Sequence, residues 1–100
     1  MNNKNINILE KNIQHFGYKN IVQFAVDHAK ILTMSKIEEY KNIIRFYENK
    51  YEMSYKEFDD NLKKMIDSED FEKEDDLMEW RFAVKCVNMY EKELKNLKKC

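Results

Sequence analysis

The chain has 100 residues, 43% apolar and 37% charged, which is one domain's worth of material with the balance of a globular protein. It holds no proline and one glycine, which excludes glycine-rich phosphate loops and linker-rich architectures and makes tight β-hairpins scarce. The net charge of -1 indicates neither a nucleic-acid coat nor an acid-seeking surface.

Charge is nevertheless segregated along the chain. Residues 1–56 sum to +3, residues 57–80 to -8 and residues 81–100 to +4. Cys86 and Cys100 form neither a C-x-x-C pair nor a dense disulfide framework, so the expected compartment is a reducing cytoplasm. No run is apolar for 18 residues and the first residues lack a signal-peptide core, so neither export nor membrane spanning is expected.

The composition predicts a mainly α protein, a small bundle of four to five helices in one domain. At the start, Ile6 and Ile8 fit one face of a short strand, while Leu9, Ile13 and Phe16 fit a helical stripe. Gly17 marks a left-handed stop, and residues 1–33 form an N-terminal helical region that offers itself for dimerisation. Asn20 caps a second helix with the stripe Val22, Ala25, Ala29 and Leu32, the most hydrophobic part of the chain.

Ser35-Lys-Ile-Glu38 reads as a capping box, so a break or kink is expected there, with central helices over residues 36–66. Ile37, Tyr40, Ile44, Tyr47 and Tyr51 recur at heptad-like spacing, which suits either a bundle helix or a homodimer seam. Ser54-Tyr-Lys-Glu57 opens a shorter helix carrying Phe58, Leu62 and Met65. Residues 67–75 read as an exposed acidic connector, and residues 76–99 as a last helix with Leu77, Trp80, Val84, Val87, Leu94 and Leu97 on one side, widened by Phe82, Ala83, Cys86 and Tyr90.

The inventory for catalysis is thin. His15 and His28 lack partners at metal-ligand spacing, the carboxylates share one solvated environment, and no R-x4-6-H signature follows Arg45 or Arg81. The expectation is a protein that is not an enzyme, with no cofactor and no metal. What stands out is Glu69-Asp-Phe-Glu-Lys-Glu-Asp-Asp-Leu-Met-Glu-Trp-Arg-Phe-Ala83, where the one tryptophan follows a run of acids. Trp80 reads either as a core residue or as a charge-bordered binding anchor.

This segment, with Lys36 to Tyr40 and Arg45-Phe-Tyr-Glu-Asn-Lys-Tyr-Glu-Met-Ser-Tyr-Lys-Glu-Phe58, resembles a family of small prokaryotic antitoxins, the TumA-like partners of TumE-type toxins. The family pattern is K-Y-G-M-S-F-E-E-F followed by E-D-F-x-x-E-D-D-L-M-D-W-E-F-A, and the likeness spans roughly residues 30–97. Three positions depart from it. Glu52 stands for Gly, which extends the expected helix towards Met53; Glu79 stands for Asp; Arg81 stands where an acid is common.

The resemblance implies a non-catalytic protein that binds and neutralises a cognate toxin, the product of an adjacent gene, by covering a basic surface with an acidic one. Its expected contact set is Asp75, Asp76, Glu79, Trp80 and Phe82. Two alternatives stand beside it. One is a homo-oligomeric helical scaffold built on the Ile37 to Tyr51 seam; the other is a ribbon-helix-helix-like autorepressor that reads operator DNA with the short N-terminal strand.

Overall fold

A computed structural model describes residues 3–65 and 70–100. Four helices follow in order: α1 (Asn3–Gln14), α2 (Ile21–Tyr51), α3 (Tyr55–Lys64) and α4 (Phe71–Leu97). The mainly α expectation holds, with four helices among the described residues. No helix among the described residues is long and apolar enough to cross a membrane.

The short N-terminal strand is not there. Asn3–Gln14 is helical, with Ile13 buried and Ile6 and Leu9 half-buried on the same side. A strand needs a neighbouring strand to satisfy its backbone, and the described residues contain none, whereas a helix satisfies its amides internally. Past α1, Gly17 adopts φ +94° and the Tyr18 amide donates back to the Ile13 carbonyl at 3.2 Å, closing the helix as expected. Phe16 is 73% exposed instead of completing the stripe.

Asn20 caps α2 by accepting from the Gln23 amide at 2.9 Å, while Gln23 accepts in return from the Lys19 amide at 2.7 Å. The expected break at Ser35 is absent, for α2 runs 31 residues without interruption. Leu32 is 66% exposed and so drops out of the stripe while the helix itself runs on. The later seam, with Ile37 and Tyr47 buried and Tyr40, Ile44 and Tyr51 half-buried, packs inside the same chain.

α2 ends at Tyr51, and Glu52 takes the left-handed conformation with φ +53°. The expected extension towards Met53 therefore fails. Ser54 caps α3 by accepting from the Glu57 amide at 3.2 Å, the second capping box of the sequence. α4 begins at Phe71, five residues earlier than expected, because Asp70 accepts from the Lys73 amide at 3.1 Å and Glu72 and Glu74 lie in the first turn. Residues 71–75 of the expected connector are thus helical, and 67–69 lie outside the described residues.

α2 and α4 pack antiparallel, since Lys50 meets Asp76, Tyr47 meets Trp80 and Lys41 meets Glu91. α3 folds across one end of this pair. There Trp80 is wholly buried, stacked on Tyr47 (centroids 5.6 Å apart) and Tyr51 (6.3 Å), and met by Tyr55 (5.8 Å) and Phe58 (5.3 Å). Full burial of a side chain of this size contributes about 1.5–3 kcal/mol, and each favourable ring pair adds roughly 0.5–1.5 kcal/mol.

Away from that end the molecule is a rod, 66 × 22 × 20 Å, with a radius of gyration of 20.7 Å. A compact chain of this length would have about 13 Å.

Two substitutions probe this framework. Trp80→Ala should cost about 3–5 kcal/mol in urea denaturation, because the cage around it cannot close. Glu52→Gly should stabilise by about 0.5–1 kcal/mol, read as a higher denaturation midpoint at constant slope, since glycine reaches positive φ without the Cβ clash.

Candidate protein-binding surface

The five residues expected to contact a partner separate in three dimensions. Trp80 has no exposed surface and belongs to the core, so it cannot touch a partner in this conformation. It is the anchor of the fold, and its neighbour Ala83 is equally inaccessible. The indole Nε1 has no hydrogen-bond partner, the one such buried side-chain atom among the described residues. Aromatic packing outweighs an unsatisfied donor that costs roughly 1–3 kcal/mol.

Asp76 also turns inward. Its carboxylate, with 15% of its side chain exposed, accepts from Lys50 Nζ at 2.6 Å and from the Tyr51 hydroxyl, while Glu72 accepts from the same lysine at 2.9 Å. Burial alone would raise the Asp76 pKa, but the hydrogen bonds from Lys50 and Tyr51 outweigh it and hold the carboxyl below the usual carboxylate range. Burial, followed by the bond to Asp76, pushes the Tyr51 hydroxyl up to about 12. These contacts clamp the C-terminal end of α2 to the first turns of α4.

Arg81, the reversed charge of the family comparison, is occupied within the chain. Its Nε donates to the Tyr55 hydroxyl at 3.0 Å and its Nη2 meets Asp59 at 3.4 Å, fastening α3 to α4. Glu79 is exposed but stands beside Tyr47, whose hydroxyl is pushed up to about 12 by burial and by the Glu79 carboxylate.

Asp75 is exposed, and Phe82 is 58% exposed with its ring edge-on to that of Tyr40 on α2, centroids 5.9 Å apart; both belong to a line of side chains along α4 that the sequence reading missed. Phe71, Asp75, Met78, Phe82, Lys85 and Met89 recur at spacings of four and three, so they share the side of α4 roughly opposite Trp80. The four large apolar members are 69, 66, 58 and 45% exposed in chain order. Glu72, Glu74 and Glu79 border the N-terminal half of this stripe. The signal is a second apolar phase on the same helix, and Phe82 stands between the two phases, exposed over most of its surface and in contact with Tyr40 of α2.

α4 is therefore apolar on two sides. One side is filled by α2 and α3, and the other faces solvent with acids along its edge. An exposed apolar line rimmed by charge is the usual form of a protein-docking site. Nothing at this surface resembles a catalytic arrangement: His28 lies against Phe24 on the far end of α2, with centroids 4.2 Å apart, and His15 is exposed beyond α1. Among the described residues no three His, Cys, Asp or Glu side chains stand together as metal ligands.

The clamp gives stability a defined pH dependence. Asp76 has a depressed folded pKa, so its contribution is present above the unfolded carboxylate pKa of about 4 and is lost as pH falls through the folded value. Tyr51 has a raised folded pKa, so its contribution is complete below about pH 10 and is lost as pH climbs through about 12. Asp76→Asn should lower stability at pH 7 and flatten the loss between pH 4 and pH 2, measured by urea denaturation at stepped pH.

No protein-family model, no curated protein and no solved structure matches the chain.

Proposed function

We propose that this protein is a non-catalytic, antitoxin-like binding protein that neutralises a basic partner protein in the cytoplasm of a prokaryote, docking it on the outer side of α4. The observation that carries the reading is the stripe of Phe71, Met78, Phe82 and Met89, left outside on a helix whose opposite side is already filled, with carboxylates at its border. Apolar contact supplies affinity at the centre of such a surface, and the acids speed encounter with an opposite charge and exclude acidic competitors. A toxin that grips RNA with a basic face fits this chemistry, since carboxylates can stand where phosphates would lie.

A second support comes from Glu52. The antitoxin-like pattern has glycine at this position, and the backbone here is left-handed, the conformation glycine adopts freely. Relative to the sequence-level expectation, the contact set shifts. Asp75, Glu79 and Phe82 stay in it, Phe71 and Met78 join, and Trp80 and Asp76 act by holding α4 in place.

The alternatives fare less well on the same observations. The Ile37 to Tyr51 seam of the scaffold reading is taken up by α4. The DNA-reading alternative rested on an N-terminal strand, and that segment is helical.

The test is co-expression with the product of the adjacent gene, followed by titration of the purified pair. Asp75→Asn with Glu79→Gln should weaken binding about 10- to 100-fold and reduce its salt sensitivity, and Phe82→Ser should weaken it by about tenfold at any salt. Helical circular dichroism should stay unchanged in both. Binding that is unaffected by both changes, or no binding and no rescue from toxicity by the native chain, overturns the reading.

A further inference from the structure

The exposed line on α4 has the layout of one half of a helix pair. Phe71, Met78 and Lys85 fall seven residues apart, and so do Asp75, Phe82 and Met89 in the row beside them. Two rows interleaved at this repeat are the mark of a helix that packs along another helix. Met78, Arg81, Phe82 and Lys85, at i, i+3, i+4 and i+7, enclose an open hollow. Four residues at those positions form the hole into which a neighbouring helix sets a side chain. Tyr40 meets Phe82 edge-on from α2 and leaves the hollow open.

Charge divides the line into two halves. Glu74 and Asp75 stand at its N-terminal end, Lys85 and Lys92 towards its C-terminal end, all four exposed and none in an ion pair among the described residues. Other charged groups of α4 are already engaged within the chain: Glu72 and Asp76 by Lys50, Arg81 by Asp59, and Glu91 by Lys41. Glu74, Lys85 and Lys92 are eleven and seven residues apart, which puts them on one flank of the line. About 16 Å of helix separates Glu74 from Lys85.

We infer that the occupant of this line is an amphipathic helix of the partner protein, running antiparallel to α4. It sets an apolar side chain in the hole of Met78, Arg81, Phe82 and Lys85, acids over Lys85 and Lys92, and bases over Glu74 and Asp75. This identifies the docking element of the surface proposed above and rests on that reading. A helix suits the site because it satisfies its own backbone amides, whereas a strand laid along α4 meets no backbone partner there. The direction follows from charge. Helices favour acids in the first turn and bases in the last, and a helix so charged matches both halves of the line only by running opposite to α4. A uniformly basic element would set cations on Lys85 and Lys92. A second copy of this chain, paired antiparallel across the hole, would gather both Lys85 side chains on one flank, like against like.

The test uses three labelled synthetic peptides of about 25 residues, each with leucine at the two seam positions of every heptad. One carries glutamates in its first half and lysines in its second, one carries lysines throughout and one glutamates throughout. The full chain is titrated into each peptide, held at about 10 nM, and binding is read by fluorescence anisotropy. The mixed peptide should bind at least about tenfold more tightly than either other at low salt, and the gap should close in about 1 M salt. A spin label on its N-terminus should broaden the amide signals of Met89 and Lys92 and spare those of Phe71. Lys85→Glu with Lys92→Glu should shift the preference to the all-lysine peptide. Met78→Glu should weaken the mixed peptide about tenfold or more, with helical circular dichroism unchanged because these side chains are exposed. An all-lysine peptide that binds the native chain as tightly as the mixed one overturns the inference. So do broadening at Phe71 instead of Met89, binding indifferent to Met78→Glu, no binding of the mixed peptide at about 100 μM chain, or a native dimer that Met78→Glu dissociates. Peptide binding as expected without rescue from toxicity removes the antitoxin reading and upholds the docking helix; rescue without peptide binding does the reverse.

Discussion

The fold depends on one buried indole. Trp80 is the meeting point of α2, α3 and α4, enclosed by Tyr47 and Tyr51 from the first, Tyr55 at the start of α3 and Phe58 one turn on. A chain of this size has little apolar material to spare, and concentrating aromatics at one place yields a dry, well-packed centre where evenly spread leucines would yield a shallow one. The polar contacts sit around that centre in two groups. Lys50, Tyr51 and Asp76 close one side, while Arg81, Tyr55 and Asp59 close another, and each group joins two helices. Sealed in this way, the centre tolerates an indole donor with no acceptor.

The same concentration leaves the rest of the molecule thinly covered. A rod 66 Å long cannot bury the apolar sides of all its helices against one another. Large apolar side chains remain outside on both long helices, Val22, Ile31, Leu32 and Met34 among those on α2, and Phe71, Met78, Phe82 and Met89 on α4. The line on α4 is bordered by Glu72, Glu74 and Glu79, whereas Val22, Ala25 and Leu32 at the start of α2 carry no charge.

The left-handed Glu52 sits at the junction of these demands. The chain must reverse between Tyr51 and Ser54 so that α3 can cross over Trp80, and only a residue at positive φ makes that turn so tightly. The strain is tolerated because the aromatic contacts on both sides of the turn, Tyr51 to Phe58 at 4.2 Å among them, over-determine the path.

Local rules in the sequence determined a good part of this protein. Absence of proline and scarcity of glycine set the helical class, Asn20 and Ser54 set two helix starts, and Gly17 set the first turn, because capping and backbone preference act over three or four residues and are visible in any window. The core side of α4, with Trp80 and Val87 at its centre, was also legible from helical spacing. Tertiary contacts decided the remainder. Ile6 and Ile8 alternate like a strand but have no strand to join; Ser35 and Glu38 could start a helix but stand in one that never stopped; Asp76 and Trp80 lie in the acidic motif but face inward. Which of the two apolar sides of α4 meets α2 and α3, and which is left mostly exposed, is fixed by where those helices can fit around the indole. Periodicity places side chains on sides of a helix, and only packing chooses which side is covered.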